Sequence, residues 1–529
     1  MYLIRKFKSL QNAAAPFILL SGHGLAGATL FLTFAACTVW AQQSGSGTHA
    51  VQLPLFAGQQ GGASEQQSAT PAINSSVNTL NTQVSVQGAY SSSALDPGAT
   101  EGSITLTLTE AVHRGLEFNL GKIGADTASR QAQAQRISAR SSLLPNISAN
   151  LSENSAKIDL VAEGFNSSLF GSIGSFSLPS TTAPFHYYDL HGSLQQNVMD
   201  FTAIHNYRSA GQSANAAGLD VLQAREEVIL AVTGSYLQLM ATAALIDEQR
   251  VEVQYAEASY KQARAQADAG NKAPIDANRS LVEYQTEQQR LRSQLGDMQK
   301  QKNALARLIG LHAGVDISIA EKLQAQPGES APVEEFVRRA WTQRLDLRAA
   351  EAQLRAAEEA RKAAGAEYLP SVGVSGQYGI QGVNPNTGNG VFQASASLNV
   401  PIFNGGRTRA DTAQADAVLT ERRAELSSQR GTVELDVRNA WIDLTVANDQ
   451  VTTAESNRKL ALSILQQSQD RFAVGVADSV EVVNSQEELA SADHDYVSSL
   501  FAQNLARISL AHAMGEAEKI LPDLFKGSQ

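Results

Sequence analysis

Alternating apolar and polar positions mark four segments of the chain. Over residues 391–402, apolar side chains take every second position, and Gln, Ser and Asn fill most of the positions between them. The same period of two occurs over residues 372–380, 188–198 and 147–151. It predicts strands with one apolar and one polar face, and segments of about ten residues suit tilted strands that cross a bilayer. A half-buried sheet in a soluble domain has the same period and is the alternative.

Long helical patterns follow the predicted strands. Residues 202–269 contain no proline and few glycines, and a helix of that length would extend about 100 Å. Apolar residues recur at seven-residue spacing in both halves of the chain: Leu222, Ile229, Tyr236 and Ala243, then Val437, Leu444 and Val451. Heptads predict supercoiled packing against neighbouring helices along the whole length.

An internal duplication organises these patterns. Leu144-Pro145 recurs as Leu369-Pro370, each time between a helical and an alternating segment. Further pairs share one constant separation: Tyr236 with Trp441, Gly270 with Gly475, Asp276 with Glu481, and Gly310 with Gly515. The two Leu-Pro motifs are farther apart than the members of the other pairs, which implies that the loop between the first two strands is longer than the loop between the last two. This longer loop lies near residues 159–185, and we expect it on the extracellular side. The order helix, strand pair, very long helix, turn, helix is therefore predicted twice.

These patterns divide the chain into six parts. We predict a signal peptide (1–41), a flexible Ser/Gly/Gln-rich leader (42–103), a first repeat (104–315), an inter-repeat linker (316–332), a second repeat (333–522) and a C-terminal tail (523–529).

The N-terminus has the pattern of an export signal. Basic residues precede an apolar stretch over residues 24–40, and small residues around Ala41 offer a cleavage site. A single membrane anchor is the alternative. No later segment approaches the roughly 20 apolar residues of a transmembrane helix, so strands must cross any membrane. Cys37 follows Phe34-Ala35-Ala36, which loosely resembles a lipobox, so peptidase cleavage and lipidation of Cys37 both remain open.

Composition and charge narrow the function classes. Aromatic residues make up only 6% of the 529 residues, which suits long helices better than large globular cores. A net charge of −11 argues against nucleic-acid binding, and a single cysteine rules out an internal disulfide framework. No catalytic or metal-ligating motif is found, and acidic pairs such as Glu226/Glu227 and Glu358/Glu359 are interpreted as solvated helix faces. We therefore predict no enzyme activity, no metal and no cofactor.

Four strands cannot complete a membrane-spanning structure alone. Each unpaired N–H or C=O group at a sheet edge in lipid costs several kcal/mol, and four strands are too few to close around a lumen. Three copies would supply twelve strands, within the usual even-numbered range. The predicted fold class is a mixed α+β membrane protein with two internal structural repeats: a trimeric 12-stranded β-barrel, four strands per chain, continued by a long periplasmic α-helical barrel.

The order of these motifs resembles the TolC-like outer-membrane efflux proteins, also called outer membrane factors, over residues 104–522. The resemblance is carried by Leu144-Pro145, Leu369-Pro370, Pro401-Ile402-Phe403-Asn404-Gly405-Gly406, and Arg471-Phe472-Ala473-Val474-Gly475 followed by Glu481. It implies a homotrimer in the lipid of a Gram-negative outer membrane, extending into the periplasm. It also implies a passive exit duct for tripartite efflux or type I secretion, with a periplasmic adaptor (membrane fusion) protein and an inner-membrane RND or ABC pump as partners.

The resemblance also implies roles for individual residues. In the family, two acidic residues per chain narrow the periplasmic end, and the matching positions are Glu481 and Asn484, where Asn484 departs from the pattern. Asp276 and Asp478 are further gate candidates; a helix-start acid favoured by the dipole is the alternative for Glu481. The other candidates are Gly270 and Gly475 as tip turns for adaptor docking, and Pro145, Pro370, Pro401, Gly405 and Gly406 as strand–helix junctions.

Two rival classes account for part of the pattern. A periplasmic coiled-coil adaptor or spacer would explain the helices and the export signal, but not the paired alternating segments. A stand-alone porin would explain the strands, but not the long helices. Neither the exported substrate nor the pump class can be deduced from the sequence.

Overall fold

The computed structural model describes residues 63–69, 80–86, 88–98, 102–162, 179–270, 273–325, 331–474, 476–477 and 479–523. The predicted signal peptide with Cys37, together with Gly475 and Asp478, lies outside the described residues, as does the tail beyond residue 523.

Helix pairs and strand pairs alternate along the chain. The elements up to residue 319 are β1 (Ala63–Ala69), β2 (Leu80–Val86), β3 (Ser103–Leu106), α1 (Leu108–Phe118), α2 (Leu120–Ser141), β4 (Asn146–Ala156), β5 (Phe185–Met199), α3 (Phe201–Asp268), α4 (Pro274–Leu308) and β6 (Asp316–Ile319). The later elements are α5 (Val333–Gln343), α6 (Leu345–Ala366), β7 (Ser371–Gly382), β8 (Asn389–Asn399), α7 (Arg407–Ala473), α8 (Ser479–Met514) and α9 (Ala517–Ile520). Two helices, two strands, a very long helix and a shorter helix thus follow one another in both halves.

The four predicted strands form one antiparallel sheet in the order β4-β5-β7-β8. Its register puts the predicted apolar positions on one face, since Leu151 pairs with Leu190 and Leu190 with Ile380. The polar positions share the other face, where side-chain hydrogen bonds join the strands: Ser148 Oγ to Ser193 Oγ (2.7 Å), Ser375 Oγ to Ser395 Oγ (2.7 Å), and Gln377 Nε2 to Gln393 Oε1 (2.8 Å). The predicted alternation is confirmed except at Val198, where a β-bulge between Asn197 and Met199 brings Met199 opposite Val372.

The apolar face of this sheet is exposed in the single chain. Ile147 is 79% exposed, Tyr378 72% and Phe392 81%. Among the described residues no second layer lies over these large apolar side chains, so this face of the sheet requires a covering from elsewhere.

The two long helices, α3 and α7, contain 68 and 67 residues, about 100 Å each. On α7 the buried side follows the predicted seven-residue spacing: Leu419, Leu426, Val433, Ala440, Ala447, Ala454, Ala461 and Ser468, with Val437, Leu444 and Val451 beside them. On α3, Ile229 and Tyr236 are fully buried, whereas Leu222 is 44% exposed, so the predicted packing does not reach Leu222 within the single chain. Near Leu222 on the same helix, the buried side chains are those of Ala224 and Glu226 instead.

One carboxylate of each acidic pair is shielded from solvent instead of lying on a solvated helix face. Glu226 is only 6% exposed, and its Oε2 accepts a hydrogen bond of 2.9 Å from the Ala517 backbone N–H. Glu359 is likewise shielded, and its Oε2 lies 2.8 Å from His205 Nδ1. Both carboxylates bond to other elements, which the sequence interpretation of solvated faces missed.

Residues 88–98 differ from the flexible leader that the sequence predicts. The Ala94 N–H donates to the Phe118 carbonyl (2.8 Å), and Asn119 Nδ2 donates to the Tyr90 carbonyl (2.8 Å). The predicted linker likewise contains β6, which pairs in parallel with β3. Both segments are ordered because their backbone groups bond to the ends of neighbouring elements.

A stretch of α3 is more apolar than the sequence expectation allowed. Among the described helices, α3 has an 18-residue stretch with a mean hydropathy of 1.7, long and apolar enough to cross a membrane by composition. Of this stretch, 72% is buried within the protein. Packing in the main core, which includes Val228, Ile229 and Leu237 of α3, accounts for the composition without a membrane span.

Gly121→Ala tests whether residues 88–98 are held against α2. A Cβ on Gly121 would overlap the ring of Tyr90, whereas a Cβ on Gly124, one turn along the same helix, would meet nothing within 4 Å. We expect chymotrypsin to cleave after Tyr90 several-fold faster in Gly121→Ala than in wild type. Gly124→Ala is the control, because it makes the same gain in helix propensity of about 1 kcal/mol. Equal cleavage of wild type and Gly121→Ala would show that Tyr90 does not pack there.

Candidate functional site at the hairpin tips

The first hairpin, α3–α4, reverses at Gly270. The Ala269 N–H donates to the Ala265 carbonyl and the Gly270 N–H to the Ala267 carbonyl, both at 3.0 Å, which ends α3. Gly270 has φ of +73°, the left-handed conformation that glycine adopts without a Cβ penalty. Pro274 then begins α4, where its missing N–H costs no helical bond. The predicted tip position of Gly270 is therefore a turn in the structure.

The second hairpin, α7–α8, turns between Ala473, where α7 ends, and Ser479, where α8 begins. The Arg471 carbonyl accepts hydrogen bonds from the N–H groups of Val476 (3.0 Å) and Ala477 (3.3 Å). Phe472 and Ala477 are buried in a small core that holds the two helices together at this end. The fold therefore supports this turn from inside, and α8 begins directly after it.

Glu481 lies in the first turn of α8, where the helix dipole favours an acid. Its Oε1 is 3.5 Å from Nε of Arg471 at the end of α7, and both side chains are partly exposed. Ser485 Oγ donates to the Glu481 carbonyl and also lies 2.8 Å from Ser468 Oγ of α7. Glu481 thus has a cation facing it across the turn. The sequence places Arg471 in a motif shared with the family, but it does not predict that Arg471 pairs with Glu481.

The remaining gate candidates differ in exposure. Asn484 is exposed on α8, and Asp276 is half-buried in the first turn of α4. Their neighbours Ile275 and Val480 line a common cleft, so the structure brings the starts of α4 and α8 together.

That cleft has a volume of about 410 Å³ and is lined by Ile275, Asn278, Arg279, Val282, Glu283, Val480 and Val483. Ile275 is 57% exposed, Val282 63% and Val480 40%. Exposed branched aliphatic side chains at the end of otherwise polar helices indicate a binding surface. Sequence reasoning missed this surface, although such residues beside the turn glycines were a usable signal.

Glu283 supplies an acidic group of the cleft wall. Burial, followed by a hydrogen bond to Glu287, raises the pKa of Glu283 to about 7. The charge of the cleft therefore changes near neutral pH.

The strand–helix junctions use different chemistry in the two halves. Pro145 directly precedes β4, and Pro370 directly precedes β7. At the start of α7, Gly405 and Gly406 have φ of +68° and +87°, and Gly406 is the N-cap. The start of α3 is capped instead by Asp200, whose Oδ1 accepts a hydrogen bond of 2.9 Å from the Ala203 N–H.

Pro401 follows β8 at the last junction and is half-buried.

Among the residues that the structure describes, no group of three or more His, Cys, Asp or Glu side chains is arranged to hold a metal ion.

Two relatives from pseudomonads match most of the chain. It is 25% identical over 394 residues to the toluene efflux pump outer membrane protein TtgF of Pseudomonas putida, which covers 71% of this chain and 76% of TtgF. It is 26% identical over 424 residues to the pyoverdine export outer membrane protein OpmQ of Pseudomonas aeruginosa, which covers 75% of this chain and 83% of OpmQ.

The fold is also similar to that of a solved structure. The outer membrane channel CmeC of Campylobacter jejuni superposes with a TM-score of 0.67 at 15% identity, covering 80% of this chain and 90% of CmeC. A family model described as outer membrane efflux protein matches residues 125–311 and 336–516, which is more than half of the chain. The chain therefore belongs to the outer membrane efflux protein family.

Proposed function

We propose that three copies of this chain form one passive exit duct, a twelve-stranded barrel in the outer membrane continued by a helical barrel across the periplasm. The observation that carries the proposal is the four-stranded sheet, which has one apolar face, one polar face and two open edges. The match of the family model to two segments supports the further inference that the halves are copies of one structural unit.

The sheet edges argue for neighbouring copies. Among the described strands, β4 and β8 each pair on one side only, with β5 and β7 respectively. In lipid the unpaired N–H and C=O groups of these edges would cost several kcal/mol each, and pairing β8 of one copy with β4 of the next removes both edges. The serine, glutamine and asparagine face then lines an aqueous lumen, and the apolar face contacts lipid.

The helices also present surfaces that suit neighbouring copies. On α7, Leu435 is 58% exposed, Ile442 50% and Leu460 60%. A helix of this length in a soluble compartment would keep such side chains in water unless another helix packed on them. Copies of the same chain, arranged in a ring, supply that packing.

The partners proposed are a periplasmic adaptor and an inner-membrane pump of the RND or ABC class. The apolar cleft at the hairpin tips faces away from the strands, and its aliphatic lining suits an adaptor helix. The chain contributes a duct and no chemistry, so the pump supplies the energy. Relatives whose names refer to toluene and to pyoverdine are almost equally similar to this chain, which supports substrate selection by the pump.

Ile442→Asp tests assembly. If a neighbouring copy covers the exposed Ile442, a buried unpaired carboxylate there costs several kcal/mol, and native mass spectrometry should show a loss of trimer. Thr445→Asp, at an exposed polar position of the same helix, should leave the trimer unchanged. A stable, water-soluble wild-type monomer would rule out the duct.

Glu481→Gln and Arg471→Gln test the gate. If Glu481 narrows the pore as an acidic ring, its neutralisation should weaken cation selectivity and divalent-cation block severalfold in planar bilayers. Arg471→Gln should strengthen both, because Glu481 then lacks its partner at 3.5 Å. Glu455→Gln, an exposed carboxylate in the middle of α7, is the control. Unchanged cation block in Glu481→Gln would remove Glu481 from the gate.

Photo-crosslinking tests the tip cleft as the adaptor site. A photoreactive side chain in place of Val480 should capture, in cells, a periplasmic protein with a coiled-coil hairpin, identified by mass spectrometry. Ile275→Asp should lower this capture and increase sensitivity to the exported compounds, because a charge in the cleft opposes apolar docking. Val383→Asp changes a still more exposed aliphatic residue, 71% against 57% for Ile275, at the β7–β8 turn and should have no effect. Full capture in Ile275→Asp would place the adaptor elsewhere.

A further inference from the structure

A second, enclosed cavity lies between the two helical hairpins. It is lined by Glu252 and Ala256 of α3, Glu283 and Glu287 of α4, and Gln486, Glu487 and Ala490 of α8. Glu252 is 6% exposed, and Glu287 and Gln486 are each 5% exposed. The cavity has room for about one water-sized molecule. Carboxyl groups from both hairpins therefore meet in a small space in which Glu252 and Glu287 are buried, Glu283 is half-buried and Glu487 is exposed.

Carboxyl groups outnumber cations at this junction. The charged groups that face one another are Asp247, Glu248 and Glu252 of α3, Glu283, Glu287 and Arg290 of α4, Arg458 of α7, and Glu487 and Asp493 of α8. Arg458 binds Asp493 and, at 2.8 Å, Glu248. Arg290 binds Glu287, which also accepts from Gln249. Among the described residues, no ion pair joins Glu252 to a cation, and other acids surround it.

An unpaired acceptor indicates a bound proton in this cavity. Oε1 of Gln486 is buried and has no hydrogen-bond partner among the described residues. Apart from the amide of Gln486 itself, the side chains of the lining can donate a hydrogen bond only as protonated carboxyl groups.

We propose that this carboxyl cluster is a proton-operated latch between the two hairpins, in which protons held by Glu252 and Glu283 keep α3–α4 packed against α8. When the protons leave, like charges in a water-poor space repel one another and the hairpins separate. The latch lies above the Glu481 turn and uses none of its residues.

The direction of the pH dependence follows from the packed structure. Burial, then the charges of Asp493 and the neighbouring glutamates, raises the pKa of Glu252 to about 8, and the pKa of Glu283 is about 7. A separated, hydrated glutamate has a pKa near 4.5. The packed hairpins therefore bind protons that the separated hairpins release, so packing is strongest below about pH 5, weakens as pH rises and reaches its minimum above about pH 8.

The consequence for transport rests on the function proposed above. In such a duct, the hairpins close at acidic pH and loosen at alkaline pH. The packing itself is a property of one chain and does not depend on an adaptor, a pump or a substrate. The two claims can therefore be tested separately.

Distance measurements between the hairpins test the latch. Spin labels on cysteines in place of Ile275 of α4 and Val480 of α8, with Cys37→Ser, report the separation in the full chain diluted with unlabelled chains. We expect the mean distance to lengthen between pH 5.5 and pH 8.5. Glu252→Gln and Glu283→Gln, which mimic the protonated forms, should each reduce that change by at least half. Glu488→Gln, an exposed carboxylate of α8 outside the cavity, should leave it unchanged.

Two results would overturn the latch: no change of distance with pH in the wild type, or the same change in Glu252→Gln and Glu283→Gln as in the wild type. The conductance of the wild-type protein in planar bilayers is measured in parallel. A pH-dependent distance without conductance would support the latch and contradict the duct, whereas conductance without a pH-dependent distance would contradict the latch alone.

Discussion

The demand that every backbone N–H and C=O group be paired governs this structure. Within each long helix the demand is met locally, and within the sheet it is met by β5 and β7, which have partners on both sides. It is not met at β4 and β8, which each pair on one side only among the described strands. Because water can satisfy such groups and lipid cannot, the same sheet is tolerable in solution and incomplete in a membrane. The chain's membership of the outer membrane efflux protein family fits an assembly in which the edges of this sheet are closed.

Small side chains make the long helices compatible with one another. The side of α6 that packs on α3 carries buried alanines such as Ala356, Ala360 and Ala363, and Ser209 Oγ of α3 donates to the Ala356 carbonyl at 2.9 Å. Side chains of this size let backbones approach closely without a thick aromatic core. A chain with few aromatic residues can thus hold helices of about 100 Å in register.

The ends of the hairpins combine two kinds of surface. The turns rely on backbone conformation, as at Gly270, and expose aliphatic side chains to solvent. Just above them, acidic side chains from α3, α4 and α8 are drawn into a poorly hydrated cavity. An apolar cleft that can accept a partner therefore adjoins the junction of carboxyl groups. Once these carboxyl groups ionise, their repulsion opposes the packing of the hairpins. Such a junction is a low-stability region within an otherwise continuous helical bundle.

Local periodicity determined much of this protein in advance of its structure. The period of two placed the four strands and assigned their faces apart from Val198, and the helix predicted over residues 202–269 matches α3 to within a residue at each end, because both patterns act between near neighbours. Side-chain environment could not be obtained in this way: Leu222 obeys the heptad yet is exposed, and Glu226 looks solvated yet is buried under α9. The apolar cleft and the Glu252–Glu283–Gln486 cavity join residues distant in the chain, and the Arg471–Glu481 pair joins two helices across a turn. Only the packing of the hairpins decides those contacts, because burial and charge depend on what each helix face meets across space.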